Sequence, residues 1–303
     1  MVKILSTIFI LFNLAMIPAG AFSADTVKFR HLVSVYSDEK GVSLKQPESV
    51  ACSEKSFFIV ADTGNGRLLR YNYGDNNLDP NSMEIKVPEL LYPVRLNLNS
   101  NNEIFVLDGK RRRILHLSPE GDFLNYLGSS VSGSSSTNVP KSFYIDDRDN
   151  IYILDIFSRR VLVLNSKGIY QKHIKFPNNY GFFSDLTVDF KGNILLIDSV
   201  TATVFSAAKN SPRFSPLTKN LKQYMRFPTS LATDKRGRIY LVDRNASRVI
   251  VLGQDGSFLG RLSAMGWKEG FLNYPYQLCL NSRGEVFIAD TNNNRIQIFQ
   301  TVE

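Results

Sequence analysis

Residues that usually build catalytic and metal sites are scarce in this chain. Its 303 residues include two cysteines, three histidines and one tryptophan. Two cysteines are too few for a fold stabilised mainly by disulfides. The sequence has no phosphate-cradling glycine loop, no nucleophile elbow and no cluster of Cys and His. Sequence motifs therefore identify no reaction, and we expect neither a metal nor another cofactor.

Long apolar runs are absent beyond the first residues of the chain. Lys3 precedes an apolar stretch from Ile4 to Ile17, and small residues follow up to Ser23. This order predicts a secretory signal peptide over residues 1–23. An uncleaved anchor is the alternative, although the stretch is shorter than the ~20 residues that a membrane-spanning helix needs. We expect a secreted or periplasmic protein without a transmembrane span in its mature chain.

Acidic residues are outnumbered by basic ones. The chain has 36 Lys and Arg against 28 Asp and Glu, a formal net charge of +8. For an exported protein this charge favours an acidic protein or an anionic polysaccharide as partner, and nucleic acid is not expected. The densest basic run is Lys110-Arg111-Arg112-Arg113, and Arg159-Arg160 follows further along. These cations are either parts of solvated turns or one side of a binding surface.

The chain does contain a repeat. Six aspartates close short apolar runs: Asp62, Asp108, Asp155, Asp198, Asp243 and Asp290. Their spacings are 46, 47, 43, 45 and 47 residues. An arginine follows five residues later in five copies, and Thr203 replaces it in the fourth. Such a period along a whole chain indicates one supersecondary unit that is repeated.

Each repeat contains the signals of four strands. A proline stands fifteen residues before the aspartate in five copies, and Phe183 takes its place in the fourth. Runs rich in β-branched and aromatic residues, such as Ile151–Asp155, alternate with polar turns that contain Gly or Asn. The pattern predicts an all-β fold, a six-bladed β-propeller of four-stranded antiparallel blades over residues 24–303. The segment from Val27 to Tyr36 should supply the strand that the last unit lacks and thereby close the ring.

The order of proline, strand, glycine turn, aspartate and Asn/Arg turn resembles the NHL repeat. The last unit matches best, from Tyr274-Pro275 through Asp290 to Arg295. The resemblance implies a six-bladed propeller from about residue 27 to residue 303. Some NHL-like propellers are enzymes, such as streptogramin lyases, which rely on histidines and a metal at the channel. None of the three histidines here lies on a predicted first strand, so the resemblance does not carry over such a site: His31, His116 and His173.

Positions where the repeats differ are the candidates for function, because a residue that recurs in every blade serves to stabilise the fold. We interpret the repeat aspartate as structural, accepting backbone N–H bonds in the turn that follows it and pairing with its arginine. The residues just after each proline should line the mouth of a polar channel: Glu48, Arg95, Lys141, Asp185 and Gln277. Glu48 and Asp185 are on opposite units, so both could point towards the axis. Carboxylates and hydroxyls that converge there could hold a cation such as Ca²⁺, but the nearby Arg95 and Lys141 argue against it. A lyase or lactone hydrolase acting there through Glu48, Arg95 and Asp185 is the alternative function.

Aromatic and basic residues collect in loops expected at one end of the propeller. The loops before first strands carry Tyr92, Trp267, Tyr274 and Tyr276, and those after the repeat aspartates carry Lys110, Arg111, Arg112, Arg159 and Arg244. Tyr, Trp and Arg are enriched in interface hot spots. We therefore predict a non-catalytic binding or scaffold propeller whose loops meet a protein or an anionic glycan in the cell envelope. The stretch from Gly128 to Asn138 predicts a flexible surface loop.

The two cysteines lie on the first strands of units one and six, which are neighbours in a ring. Cys52 and Cys279 are one position out of phase along these strands. A disulfide between the two blades is one interpretation. We favour two buried free thiols, because unpaired cysteine is among the most buried residue types.

Overall fold

The computed structural model describes residues 27–54, 56–127, 138–262 and 265–302. Within them, 24 strands form six four-stranded antiparallel sheets that follow one another around a ring. The predicted all-β six-bladed propeller is therefore confirmed. The predicted signal peptide and residues 128–137 of the predicted loop lie outside the described residues. No helix in the described ranges is long and apolar enough to cross a membrane.

Every blade has four strands, from an inner strand at the axis to an outer strand. The inner strands are β2 (Ser49–Cys52), β6 (Pro93–Leu98), β10 (Pro140–Ile145), β14 (Phe183–Val188), β18 (Pro228–Thr233) and β22 (Leu278–Leu280). The second strands are β3 (Phe57–Asp62), β7 (Ile104–Asp108), β11 (Ile151–Asp155), β15 (Ile194–Asp198), β19 (Ile239–Asp243) and β23 (Glu285–Asp290). The third strands are β4 (Arg67–Gly74), β8 (Arg113–Leu117), β12 (Arg160–Leu164), β16 (Thr203–Ala207), β20 (Arg248–Leu252) and β24 (Arg295–Val302). The outer strands are β5 (Asn77–Ile85), β9 (Phe123–Leu127), β13 (Tyr170–Lys175), β17 (Ser215–Pro216), β21 (Phe258–Leu262) and β1 (Lys28–Val35). Short 3-10 turns span Thr63–Asn65 and Thr291–Asn293.

Blade four departs most from the repeat in sequence but folds like the others. Phe183 pairs with Asp198 as Pro140 pairs with Asp155 in blade three. Asp198 in turn pairs with Thr203, at the position where the other blades pair aspartate with arginine. The register therefore depends on the apolar runs themselves and not on the proline or the arginine.

The N-terminal strand closes the ring as predicted. β1 runs antiparallel to β24, with Lys28 opposite Val302 and Val35 opposite Ile296. The last blade thus combines strands from both ends of the chain. Closure of this kind ties down both termini and leaves no blade with a missing strand.

A disulfide joins blades one and six beside this closure. Cys52 on β2 and Cys279 on β22 are bonded, with their Cα atoms 6.1 Å apart. The favoured expectation of two free thiols is therefore wrong. Adjacent blades face each other across a gap, so two positions that are one residue out of phase on their strands can meet in that gap. The Cα–Cα separation lies within the usual range for disulfides.

The hydrophobic core consists of layers between neighbouring blades. In one layer, Leu154 and Val161 of blade three pack with Phe183 and Leu196 of blade four. Equivalent layers occupy the other five interfaces between blades. The second strands β7, β11, β15 and β19 are buried along their whole length, because neighbouring blades cover both of their faces. This explains why these strands are continuous apolar runs without alternation.

Candidate functional site

Two sets of loops meet at one end of the propeller: the loops that lead into the inner strands and the loops that join second to third strands. Backbone hydrogen bonds connect the two sets, from Gly109 N to Tyr92 O (2.8 Å) and from Ser199 N to Phe182 O (2.9 Å). This end is termed the loop face. All nine residues predicted to form the binding surface belong to these loops.

The repeat aspartates hold the loop face together. All six are fully buried, and each accepts a bond from a backbone N–H of the loop that leads into its own blade. Asp62, for example, accepts from Lys45 N (2.7 Å), which lies 17 residues earlier. The arginine also pairs with the aspartate in several blades: Arg67–Asp62 (2.8 Å), Arg160–Asp155 (3.2 Å) and Arg295–Asp290 (2.7 Å). The aspartate is thus structural, but its bond to the preceding loop was not evident from the sequence.

Arg295 anchors the loop that carries Trp267. Its guanidinium donates to Asp290 (2.7 Å), and also to the carbonyl oxygens of Trp267 (3.0 Å), Lys268 (2.9 Å) and Phe271 (2.8 Å). The residue is only 1% exposed. The buried arginine therefore fixes the backbone of the loop that carries the exposed Trp267 side chain.

Large apolar side chains are exposed on the loop face. Trp267 is 80% exposed and Phe157 is 68% exposed. Further exposed apolar side chains on the same loops are Tyr36, Val42, Leu91, Phe182, Val200 and Phe271. Exposed apolar groups that cluster on one surface are typical of an interaction site. Sequence reasoning missed Phe157, because it follows its aspartate in a turn with no aromatic pattern.

Two of the five predicted cations, Lys110 and Arg244, lie beside aromatic rings on this face. Lys110 Nζ is 5.6 Å from the Tyr92 ring centre, and the Arg244 guanidinium is 5.3 Å from that of Tyr276 and 6.0 Å from that of Tyr274. These three tyrosines are half-buried, whereas Lys110 is exposed. Arg111, Arg112 and Arg159 are exposed as well, and Arg111 also donates to Glu89 O and to the Tyr126 hydroxyl. The surface therefore combines cations, rings and apolar groups, as interface hot spots do.

Glu48 and Lys141 lie near the axis on the loop face, and both are half-buried. Burial raises the pKa of the Glu48 carboxyl above its usual value. The charges of Arg244 and Lys141 and a hydrogen bond with Tyr92 oppose this increase only in part. The mouth thus brings together one carboxyl group, two cations and a phenol from four different blades or their loops.

The other three predicted mouth residues lie deeper. Six buried polar residues hold equivalent positions on the inner strands or just before them and are termed the axial ring: Ser49, Arg95, Ser142, Asp185, Ser230 and Gln277. Arg95 reaches from blade two to Asp185 of blade four (2.7 Å) and to Ser230 of blade five (3.2 Å). Side chains therefore span the axis at this level, where we expected an open polar channel.

The remaining members of the axial ring complete its hydrogen bonds. Asp185 accepts from Ser142 Oγ (2.6 Å) and from Leu231 N (3.0 Å). Gln277 Oε1 accepts from Ser49 Oγ (2.9 Å). Asp185 is engaged here by Arg95 and Ser142, below the mouth where Glu48 lies.

A cavity of about 610 Å³ lies on the axis on the opposite side of the axial ring. Its wall consists of inner strands and of the turns that join them to the second strands, including Asn97, Tyr144 and Thr187. The cavity was not predictable from the sequence. Its lining residues come from all six blades, so no local pattern marks it.

The histidines lie away from the axis. His31 is on β1, His116 on β8 and His173 on β13, which are closing, third and outer strands. His116 stacks on Phe105 with ring centres 4.2 Å apart. The described residues contain no group of three or more His, Cys, Asp or Glu arranged to hold a metal ion.

Comparisons with known proteins agree with this architecture. Residues 272–299 match the family model of the NHL repeat. With six equivalent blades in one ring, the prediction of an NHL-repeat six-bladed propeller is confirmed. A search of curated protein sequences gives no match.

Solved structures with the same fold include proteins of different kinds. A streptogramin B lyase is 12% identical, with a TM-score of 0.66 over 92% of this chain and 100% of that chain. A gluconolactonase from Xanthomonas campestris is 13% identical, with a TM-score of 0.67 over 91% and 90% of the two chains. A chain in a nidogen/laminin complex is 17% identical, with a TM-score of 0.59 over 73% and 81%. At these identities the likeness concerns the fold alone.

Proposed function

We propose that this protein is a non-catalytic binding propeller that presents its loop face to an acidic protein partner in the cell envelope. The observation that carries the proposal is the concentration of exposed apolar side chains and cations on that face. Trp267 and Phe157 are the most exposed of the rings, and Arg111, Arg112 and Arg159 are exposed on the same face. Arg295 holds the Trp267 loop in place, which reduces the entropy that binding would cost.

A protein suits this face better than a glycan. The exposed groups include aliphatic side chains such as Leu91 and Val200, which offer nothing to sugar hydroxyls. Exposed aromatic residues and arginines contribute most of the energy in protein interfaces. The net charge of +8 favours a partner with an acidic surface.

The test is a charge reversal with a matched control. The loop-face variant carries Arg111→Glu, Arg112→Glu and Arg159→Glu. The control carries Lys28→Glu, Arg30→Glu and Arg261→Glu, which change the net charge equally on exposed positions of outer strands. Cross-linked capture from the native envelope identifies the partner, and titration of that purified partner measures the affinity.

We expect the loop-face variant to bind at least about tenfold more weakly and the control to bind like the native protein. Trp267→Ala should weaken binding as well. Equal losses of affinity in both triple variants would show that only net charge matters and would exclude the loop face as the binding surface. Retention on an anionic polysaccharide with the same dependence on these residues would assign a glycan instead of a protein.

Export is part of the proposal. The pattern of residues 1–23 supports a cleaved signal peptide. The Cys52–Cys279 disulfide supports an oxidising compartment, since such bonds are rare in the cytosol. Mass spectrometry of the N-terminus of the native protein tests this. A mature chain that starts near residue 24 is expected, and a chain that keeps Met1 contradicts export by cleavage.

A propeller enzyme is the second candidate, and Glu48 is the observation that favours it. Its carboxyl has a raised pKa and lies close to Lys141, Arg244 and Tyr92, which is the kind of environment that produces a general acid or base. Arg95 and Asp185 do not join it, because they are tied to each other. A lyase or lactone hydrolase activity that Glu48→Gln abolishes would establish this candidate, and an activity that survives the substitution would exclude Glu48 as the catalytic group.

A further inference from the structure

Residues 156–233 build the outer half of blade three, all of blade four and the inner strand of blade five, and they are short of acidic residues. They contain eleven Lys and Arg, no Glu and three Asp, namely Asp185, Asp189 and Asp198. All three aspartates are buried. Ten of the eleven cations, in contrast, are exposed. This stretch lies wholly within the described ranges, so its part of the surface carries positive charge and no exposed carboxylate.

Five of these cations lie at the end of the propeller opposite the loop face. Neighbouring strands of a blade run in opposite directions, so the turns after inner strands and after third strands reach that end. Three such turns belong to this stretch: 165–169 between β12 and β13, 189–193 between β14 and β15, and 208–214 between β16 and β17. The exposed cations in or beside them are termed the basic patch: Lys167, Lys172, Lys191, Lys209 and Arg213.

Contacts between blades three and four hold the central members of the patch together. Lys172 Nζ of blade three donates to the Lys209 carbonyl oxygen of blade four (3.0 Å). A Cβ added at Gly192 would lie 3.1 Å from Lys209 Cδ, so the stem of Lys209 packs on the turn that carries Lys191. Lys191 Nζ in turn lies 5.4 Å from the ring centre of Phe190. The patch is therefore continuous from the outer strand of blade three to the inner turn of blade four.

The neighbouring turns at the same end carry mixed charge. Asp147 is exposed in the turn between β10 and β11, where Arg148 beside it is exposed as well. Asp234, between β18 and β19, is half-buried and pairs with Arg238. Asp255 is exposed in the turn between β20 and β21. The uniformly positive sector is thus limited to blade four and the outer part of blade three.

Two apolar side chains are exposed among these cations. Ile169 is 55% exposed and Phe190 is 53% exposed, and each lies in one of the three turns. A dissolved polyanion would meet this surface by charge alone and would gain nothing from them. An anionic bilayer offers phosphates at its surface and an apolar layer beneath, so cations that flank apolar side chains match it. The stems of the lysines can follow the apolar layer while their ammonium groups stay among the phosphates.

We propose that the basic patch docks this protein on a membrane surface that contains anionic phospholipids. The lysines and Arg213 contact headgroup phosphates, and Phe190 and Ile169 enter the boundary between headgroups and acyl chains. Because the patch and the loop face are at opposite ends of the propeller, docking directs the loop face away from the bilayer. Attraction between exposed charges falls with ionic strength, so the docking is reversed by salt.

The experiment is sedimentation of the mature, disulfide-bonded protein with vesicles of phosphatidylcholine alone and of phosphatidylcholine with phosphatidylglycerol. We expect the protein to pellet with the anionic vesicles, to remain in solution with the neutral ones, and to be released at about 0.5 M NaCl. Lys167→Glu with Lys191→Glu and Lys209→Glu should lower the partition coefficient at least about tenfold. Phe190→Ser with Ile169→Ser keeps the net charge and should lower the partition coefficient as well.

The matched control carries Lys40→Glu, Lys86→Glu and Arg261→Glu, which make the same change in net charge on exposed positions outside the patch. Its partition coefficient should equal that of the native protein. Trp267 reports the orientation, because it is the single tryptophan of the chain and lies exposed on the loop face. Its fluorescence should be quenched by acrylamide equally with and without vesicles.

Docking through this patch is contradicted by equal pelleting with neutral vesicles, by no pelleting with either kind, by an equal loss in the control variant, or by shielding of Trp267. A soluble anionic polysaccharide supplies the remaining comparison. Tighter binding of that polysaccharide, lost with the lysines but kept in the Phe190→Ser and Ile169→Ser variant, would assign the patch to a glycan and overturn the membrane proposal.

Discussion

The ion pair of Arg95 and Asp185 is the clearest energetic feature at the scale of single residues. Its side chains are 8% and 0% exposed. Removal of one partner of such a pair leaves a buried charge uncompensated and typically costs about 3–5 kcal/mol. We expect Arg95→Met to lower the free energy of unfolding by about that amount, as measured by urea denaturation.

Arg95→Met combined with Asp185→Asn is the matched double variant. Asparagine carries no charge and keeps one oxygen that can accept from Ser142 Oγ, although not also from Leu231 N, so it should recover part of the loss. A double variant as unstable as the single one would mean that the shape of Arg95, and not its charge, stabilises the axial ring.

The raised pKa of Glu48 predicts how the stability of the fold changes with pH. Burial raises its pKa in the folded protein above the usual value of 4.5, so the folded state holds this proton more tightly than the unfolded state does. Stability should therefore fall as pH rises through the interval between the unfolded and the folded pKa. Against Glu48→Gln, which cannot ionise, the native protein should be less stable at pH 7 and equally stable below pH 4.5. Urea denaturation of both proteins at the two pH values measures this, and a constant difference contradicts it.

At the scale of elements, the N-terminal strand stands out because it completes the last blade from the far end of the chain. β1 forms the outer edge of that blade, and its removal exposes β24 as an unpaired apolar strand. We expect a variant that begins after Tyr36 to aggregate, because an uncovered edge pairs with other chains. Light scattering measures the aggregation. A synthetic peptide of residues 27–36 added during refolding should restore a monomer, whereas a peptide of scrambled order should not.

The outer strands differ between blades more than the inner and second strands do. β17 has two residues, while β5 has nine. In blade four the Val204 carbonyl accepts a bond from Leu217 N (2.8 Å), and the loop up to Leu221 covers part of the third strand. Outer strands are less buried than inner strands and contact neighbouring blades with only some of their side chains, such as Ile174 of β13, so their length varies more freely while the inner strands must converge.

For the whole molecule, the disulfide and the closing strand act on the same seam between the first and the last blade. Cys52 and Cys279 are 227 residues apart in sequence, so their bond limits the unfolded chain over most of its length. Disulfides typically stabilise by about 2–4 kcal/mol. We expect Cys52→Ser with Cys279→Ser to lower the free energy of unfolding by about that amount in guanidinium chloride. Reduction of the native protein should produce the same loss and should leave the double variant unaffected.

The blades were predictable at the level of single strands. The third strands begin at the repeat arginines, and β11 spans the apolar run from Ile151 to Asp155. Even Phe183, which replaces the repeat proline, marks the start of its inner strand. These features depend on turn residues and apolar runs within about 45 residues of sequence. Because the pattern recurs six times, each copy supports the strand assignment of the others.

The candidate sites were predictable only in part, because they form between blades. Residues of the loop face were identified by type and position, since a propeller brings these loops to one end. The depth of Asp185 and the cavity below the axial ring were not identified, and the bond between the cysteines was considered but not favoured. Arg95 meets Asp185 and Ser230 across 90 and 135 residues of sequence, and these contacts exist only when the ring is closed.

The sequence by itself thus determined the number of blades, the register of their strands and the end of the ring that carries the aromatic and basic loops. These properties follow from local turn chemistry and hydrophobic patterning that each unit repeats. The tertiary structure alone decided which polar side chains meet on the axis and which positions face each other across a seam. Six inner strands converge there from distant parts of the chain, and the depth at which each side chain reaches the axis depends on the tilt and packing of complete blades.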